Sequence, residues 1–248
     1  MKKLLSIAVS SLAFAAAADI SPTIGVTEVP VSVQNTIIPV AYKSLETGGD
    51  MKANALVATY GLPALTRLFV FQNNTYTAWV LTQVGGAWTA VDSSSTATQG
   101  ITPGLPASDQ TLPVGNAIWI VFPDNYTIPE GQKVIVYGKV QSSELSTTVY
   151  KKGSTTAMAN LLCNPTASTV TGEQLAAKIG NNAAKKDVIS LAGGNFTGNY
   201  IYSGTVWKHY VTDNSGAMTV TEGLPNIPAG QAFWYTSKSG EGTFTINW

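Results

Sequence analysis

The sequence IPAGQAFW at residues 227–234 decides how the chain is interpreted, because LPVGNAIW at residues 112–119 repeats its pattern. Proline, glycine, alanine and tryptophan occur at the same offsets in both. A proline followed two residues later by glycine is typical of a turn, since proline fixes φ and glycine adopts positive φ without strain. The short apolar run that follows each turn predicts a buried strand. We interpret the two stretches as one structural unit used twice, with Trp119 and Trp234 in the core.

The segments around the two stretches follow one order in both parts of the chain. An apolar run comes first, then a helix, and then several short strands. In the second part, Thr171 and Gln174 match a capping box and Gly180 is placed to end the helix. Gly85-Gly86 and Ser203-Gly204 predict hairpin turns. The predicted segments are 37–40, 50–59, 68–71, 76–81, 88–91 and 134–140 in the first part, and 161–164, 172–179, 188–191, 199–202, 207–211 and 244–248 in the second.

This repeated order predicts a mainly β protein made of two tandem duplicated small β-rich domains. We expect each domain to be sandwich-like or barrel-like and to carry one short helix. The first domain is predicted at residues 26–140 and the second at 154–248, with a polar join at 141–153. A repeat that spans a whole domain is too long for the repeat unit of a solenoid protein.

The two tryptophan-containing turn and strand segments, together with the element order, resemble an uncharacterised family of exported bacterial β-rich proteins. Proteins of that family carry similar tryptophan-rich segments with Pro-x-Gly turns. The resemblance covers most of the chain after residue 18. It implies a β-rich architecture and an exported protein, but it implies no specific activity and no catalytic residues.

Residues 1–18 are predicted to be a secretory signal peptide. Lys2 and Lys3 precede an apolar run at 4–18, and Ala16 and Ala18 provide a small-residue cleavage signal. The run is short for a membrane span, and no later apolar run predicts a transmembrane helix. We therefore expect an exported protein, located in the periplasm, on the outer cell surface or outside the cell.

The charge of the chain argues against nucleic acid as a partner. Removing Lys2 and Lys3 from the 14 basic residues leaves 12 against 14 acidic residues, a net charge of about −2. Arg67 is the only arginine. Proteins that bind nucleic acid displace counterions with clustered Lys and Arg residues, and this sequence has no such cluster.

Side chains that could support catalysis are few. Cys163 and His209 are the only cysteine and the only histidine, so together they cannot close a zinc site. We expect Cys163 to be a buried apolar residue and His209 to have a structural role on its strand. The carboxylates are scattered, which makes a glycoside hydrolase an alternative only if two of them meet across a cleft. The sequence predicts no catalytic residue, no metal ligand and no cofactor.

Aromatic residues on the predicted strands are candidate ligand-binding groups. Trp79, Trp88, Tyr200 and Trp207 could stack on sugar rings if they face solvent. The competing interpretation is cross-strand packing, which the spacing favours. The alternating C-terminal residues 244–248 also leave an outer-membrane-associated protein as an alternative.

We expect an exported, non-catalytic surface or matrix protein with a structural or adhesive role. Its partners would be other copies of itself or a surface polysaccharide. Residues 26–40 could add a strand to the sheet edge of a neighbouring molecule. A glycan-binding module that uses the exposed aromatic residues is the alternative function.

Overall fold

Short runs of β-branched and aromatic residues, separated by turns rich in proline and glycine, form a mainly β structure. The computed structural model describes residues 23–31, 36–52, 62–63, 65–72, 75–81, 88–91, 111–141, 144–153, 157–191, 199–213 and 215–248. Within these ranges it contains seventeen β-strands and one α-helix. The predicted mainly β class is confirmed.

The first nine strands are β1 (Ile24–Pro30), β2 (Thr36–Pro39), β3 (Met51–Lys52), β4 (Arg67–Gln72), β5 (Thr75–Leu81), β6 (Trp88–Val91), β7 (Thr111–Leu112), β8 (Ala117–Val121) and β9 (Lys133–Lys139). Five of them form an antiparallel sheet with the order β2-β8-β4-β5-β6. β3 pairs with β7. β1 pairs with β9, and we call this pair the first ribbon.

The remaining strands are β10 (Ser146–Tyr150), β11 (Met158–Cys163), β12 (Val188–Leu191), β13 (Tyr200–Tyr202), β14 (Trp207–Thr212), β15 (Met218–Glu222), β16 (Ala232–Ser237) and β17 (Thr243–Asn247). Six of them form a sheet with the order β11-β16-β12-β13-β14-β15. β10 pairs with β17, and we call this pair the second ribbon. Both larger sheets are open in the part of the chain that the structure describes.

The helix, α1 (Gly172–Ile179), begins at the predicted capping box. The Thr171 hydroxyl accepts a hydrogen bond from the Gln174 backbone N–H, and the Gln174 side chain accepts one from the Thr171 N–H. Leu175 and Ile179 lie one turn apart on the same helix face and are fully buried. The predicted second helix is therefore confirmed.

Each Pro-x-Gly turn is hydrogen-bonded to the residue that follows the neighbouring strand of its sheet, β2 for the first turn and β11 for the second. Gly115 and Gly230 both have positive φ, at 95° and 69°. In the first turn, Gly115 N–H donates to Val40 O, and Val40 N–H donates to Asn116 O. In the second turn, Gly230 N–H donates to Asn164 O, and Asn164 N–H donates to Gln231 O. The turns therefore fix where β8 and β16 enter their sheets.

Buried apolar side chains form two clusters, and the first cluster joins the two halves of the chain. It contains most of the buried residues of β1 to β9, together with Leu161, Cys163 and Ala232 from the second half. Trp119 and Trp234, predicted in the core, are half-buried and pack against this cluster. The second cluster lies between the six-stranded sheet, α1 and the second ribbon.

The structure differs from the sequence interpretation at several places, and one of them is residues 218–222, which form β15 although no strand was predicted there. The predicted polar join at 141–153 contains β10, which pairs with β17. The predicted helix at 50–59 begins instead as the short strand β3, and its remainder, 53–59, lies outside the described residues. The predicted turn at Gly85-Gly86 also lies outside them.

Candidate functional site

Two of the four predicted ligand-binding aromatic residues are buried. Trp79 is 2% exposed and belongs to the first cluster, and Trp207 is 5% exposed and belongs to the second. The Trp207 ring lies 5.2 Å from the ring of Tyr202 and 6.4 Å from that of Tyr235, centre to centre. Neither side chain is exposed on its strand, which was the condition for stacking on sugar, and the burial agrees with the competing interpretation of cross-strand packing. Cross-strand and inter-sheet packing enclose them.

Of the other two predicted aromatic residues, one is half-buried, and the side chain of the other lies outside the described residues. Tyr200 is half-buried, and its ring stacks on His209 of the neighbouring strand at 4.3 Å between ring centres. Burial raises the pKa of the Tyr200 hydroxyl above its ordinary value. Trp88 lies in β6, and its side chain is outside what the structure describes. The Tyr200–His209 stack gives His209 a packing contact across the strand pair.

Cys163 is fully buried where the two halves meet. Its Sγ donates a hydrogen bond of 3.0 Å to Asn116 O, and its backbone N–H donates to Gly115 O. Desolvation by burial raises the pKa of the thiol far above its ordinary value, although hydrogen bonds to the backbone of Gly115 and Val40 oppose this rise. A thiol held neutral in this way is unsuited to nucleophilic catalysis, because the thiolate is the nucleophile.

Asp187, which sequence reasoning missed, is a buried carboxylate with three donors. The Tyr235 hydroxyl donates to Asp187 Oδ2 at 2.7 Å, and Ala184 N–H donates to the same oxygen at 2.9 Å. Lys238 N–H donates to Oδ1 at 2.7 Å. Burial, followed by the hydrogen bond to Asp187, raises the pKa of Tyr235. Because these donors are protein groups, the carboxylate ties β16 to the turn before β12.

A cleft of about 610 Å³ opens between the N-terminal turn of α1 and the β14–β15 hairpin. Both apolar and polar residues line it. Gly172 holds α1 against the segment after β15, since a Cβ there would overlap Leu224 O. The lining includes Thr171, Glu173, Ala176, Trp207, Glu222 and Leu224.

Two acidic residues, Glu173 and Glu222, are among the residues that line the cleft. Carboxylates are suited to accepting hydrogen bonds from the hydroxyl groups of a polar ligand. The backbone position of α1 is fixed by Gly172 N–H, which donates to Asn226 Oδ1 at 3.0 Å. Neither carboxylate was among the predicted site residues, because only the folded chain brings residues 173 and 222 to one cleft.

Other kinds of site are not found in the described ranges. No group of three or more His, Cys, Asp or Glu side chains there is arranged to hold a metal ion. No described helix is long and apolar enough to cross a membrane. Comparisons with known protein families, with curated proteins and with solved structures give no match for this chain.

Proposed function

We propose that this protein is an exported, non-catalytic surface or matrix protein with a structural or adhesive role, built from two tandem copies of one β-rich unit. The observation that carries the proposal is where its reactive side chains lie. Cys163 is buried between the halves, Asp187 accepts hydrogen bonds from three protein donors, and His209 stacks on Tyr200. These groups hold strands together, which is the use expected in a scaffold.

The strand registers of the two larger sheets support the tandem duplication. In the first sheet, Ile37 and Phe69 lie on either side of Trp119. In the second, Leu161 and Ser190 lie on either side of Trp234. In each sheet the tryptophan pairs with one residue of the strand before it in the sheet order and with one residue of the strand after it. The two tryptophans therefore occupy equivalent positions. Such agreement is expected if a single unit was copied.

The turns that precede β4 and β12 also match. Leu65 and Lys186 are the two non-glycine residues with positive φ among the described residues, at 66° and 79°. Each is followed by a buried polar residue, Thr66 or Asp187, that bonds back to the residue three positions earlier. An unusual left-handed backbone at the same place in both halves favours common descent over coincidence.

Location and loss of function test the proposed role. The protein is tagged at its C-terminus, intact cells are treated with protease, and the cell fractions and medium are probed. Protection of the tag in the cytoplasm would contradict the proposal. Deletion of the gene is expected to reduce surface attachment or the cohesion of extracellular material. An unchanged phenotype in both assays would also contradict it.

A second candidate function, binding of a saccharide, is favoured by the cleft beside α1. Glu173, Glu222 and Trp207 are among the residues that line it, and a volume of about 610 Å³ suits a small ligand. Titration of the purified protein with an oligosaccharide panel tests this function, with Glu222→Gln as the cleft variant and Glu241→Gln as an exposed control. Release of reducing sugar that both Glu222→Gln and Glu173→Gln abolish would instead identify a glycoside hydrolase.

A further inference from the structure

The six-stranded sheet ends at β15 in an edge that is open to solvent. Among the described strands β15 pairs with β14 alone, and all five of its residues are exposed. The strand at the opposite edge, β11, is closed off by other parts of the chain. Its Leu162 bridges to Asn116 of the first half, and its Asn160 side chain bonds to the backbone of Tyr150. One edge of the sheet is thus built into the fold, and the other is presented to solvent.

The backbone groups that β15 presents at this edge follow from its register with β14. Asp213 N–H donates to Ala217 O, and Gly223 N–H donates to Trp207 O, at the two ends of the strand pair. Hydrogen-bonded pairs alternate along an antiparallel ladder, so the odd-numbered residues of 217–223 bond to β14. The N–H and C=O groups directed outward are therefore those of the even-numbered residues, Met218, Val220 and Glu222.

β15 lacks the features that usually protect an edge strand from association. Edge strands commonly carry lysine, proline or a bulge, which obstruct the approach of a further strand. The first ribbon has two of these features, since β1 ends at Pro30 and β9 carries Lys133 and Lys139 at its ends. The sequence of β15 is MTVTE, and its single charged residue, Glu222, lies opposite Lys208 of β14. The composition of β15 therefore favours pairing with another strand.

The order of residues in β15 favours a second copy of the same strand as its partner. Thr219, Val220 and Thr221 read the same in both directions along the chain. A twofold axis perpendicular to the sheet at Val220 therefore places Val220 opposite Val220 of the second copy, and each Thr219 opposite Thr221 of the second copy. The outward backbone groups of the two strands then form about six hydrogen bonds, two for each hydrogen-bonded pair.

The side chains match on both faces of the sheet in this register. Tyr210 is the cross-strand partner of Val220, and the two are 38% and 44% exposed, so they form one apolar row with the same residues of the second copy. On the other face threonine meets threonine, which is a favourable cross-strand pair. Each Glu222 keeps its own Lys208 on one side and meets Met218 of the second copy on the other. No like charges are therefore opposed.

We infer that β15 is a self-association edge, at which β15 of a second copy continues the six-stranded sheet across a twofold axis at Val220. Residues 210–213 and 215–222 are all exposed, so neither face of this end of the β14–β15 hairpin is covered and a second copy has access. Five residues of strand span about 17 Å, and so short an edge buries less than the roughly 1,200 Å² at the lower limit of standard interfaces. Association is therefore weak and depends on concentration.

The inference deepens the proposed function and rests on it for its biological role. A surface or matrix protein is held at high local density, where weak contacts between copies are occupied. Pairing through β15 would join neighbouring copies by a continuous sheet, which is a direct way to build cohesion from a scaffold without a catalytic centre.

Sedimentation velocity of the full protein purified after export, from about 1 µM to about 1 mM, tests the inference. We expect a concentration-dependent shift from monomer to dimer. Val220→Lys opposes two like charges at the axis and should raise the dissociation constant at least about tenfold. Val211→Lys is the matched control, because Val211 is a 39% exposed valine of the same hairpin that lies on β14, away from the edge. A strict monomer throughout, or equal effects of the two variants, would overturn the inference.

A charge-exchange experiment tests the twofold register and does not depend on the loss of association alone. Val220→Glu should also be monomeric, whereas a mixture of Val220→Lys and Val220→Glu should associate, because unlike charges then meet at the axis. A mixture that stays monomeric where the parent dimerises overturns the inference. A monomer found on the cell surface overturns only this inference, whereas a dimer retained in the cytoplasm overturns only the proposed function.

Discussion

Gly115, in the first half of the chain, lies directly against the hydroxyl of Thr147, in the second half. The contact is reciprocated, since Gly230 in the second half lies against Thr27 in the first. Both threonines are hydrogen-bonded and β-branched, so their side chains have little freedom to rotate away. Each Pro-x-Gly turn therefore serves two purposes: it starts a core strand and it fits against the ribbon of the other half.

Gly115→Ala and Gly230→Ala are each expected to lower the free energy of unfolding by at least about 2 kcal/mol. Two causes add at both sites. The backbone has positive φ, and the new Cβ would overlap a threonine hydroxyl of the other half. Urea denaturation followed by tryptophan fluorescence measures the loss.

Gly131→Ala is the matched control, because Gly131 also has positive φ, at 72°, but a Cβ there has open space around it. Only the left-handed backbone is strained by that substitution, which costs about 1 kcal/mol. If all three variants lost the same free energy, close packing between turn and ribbon would contribute nothing.

Local patterns predicted a large part of the fold. The strands at 88–91 and 188–191 have the predicted bounds, and α1 occupies the predicted 172–179. The turn before β14 at Ser203-Gly204 is also present, with Ser203 N–H donating to Val206 O. These features depend on residues close together in sequence, such as a capping box or an alternating apolar run, and so sequence reasoning reaches them.

Long-range contacts account for what the sequence could not provide. β10 is rich in serine and threonine, and it becomes a strand because β17, about 100 residues later, supplies its hydrogen bonds. Alternation places Trp79 and Trp207 on strand faces, but it does not say which face another layer covers. In the sequence Asp187 resembles an exposed turn residue, and only the folded chain brings the Tyr235 hydroxyl to its carboxylate. The candidate cleft likewise depends on residues 173 and 222 meeting in space.

The Asp187–Tyr235 pair is expected to contribute strongly to stability. Asp187→Ala leaves the buried Tyr235 hydroxyl and two partly buried backbone N–H groups without their acceptor, so the free energy of unfolding should fall by about 2–4 kcal/mol. Tyr235→Phe removes one donor and should cost about 1–2 kcal/mol. A double-mutant cycle measured by urea denaturation checks the coupling. Additive losses in the double variant would show that the two side chains act independently.

Stability is expected to fall in alkaline solution because two buried groups keep their protons in the folded state. Burial raises the pKa of Cys163 above its ordinary value of 9.0, and that of Tyr235 above 10.0. The unfolded chain loses these protons first, so the stability they confer is complete below about pH 9. It then decreases as pH rises, by up to about 1.4 kcal/mol per pH unit for each group.

Cys163→Ala and Tyr235→Phe should each make the alkaline decrease in unfolding free energy shallower. Urea denaturation at several values between about pH 8 and pH 11 gives the slopes. The slope is the quantity compared, because both substitutions also change stability at neutral pH. A parent protein whose stability did not change above pH 9 would contradict the expectation.

The thiol of Cys163 is expected to report on separation of the two halves. It is fully buried against Asn116 and Gly115 of the first half, so a thiol reagent reaches it only after that contact opens. Labelling in native conditions should be at least about a thousandfold slower than in urea. Gly115→Ala weakens the same contact and should accelerate native labelling more than Gly131→Ala does. Equal rates in native and urea solutions would show that Cys163 is accessible, and that the first half does not shield it.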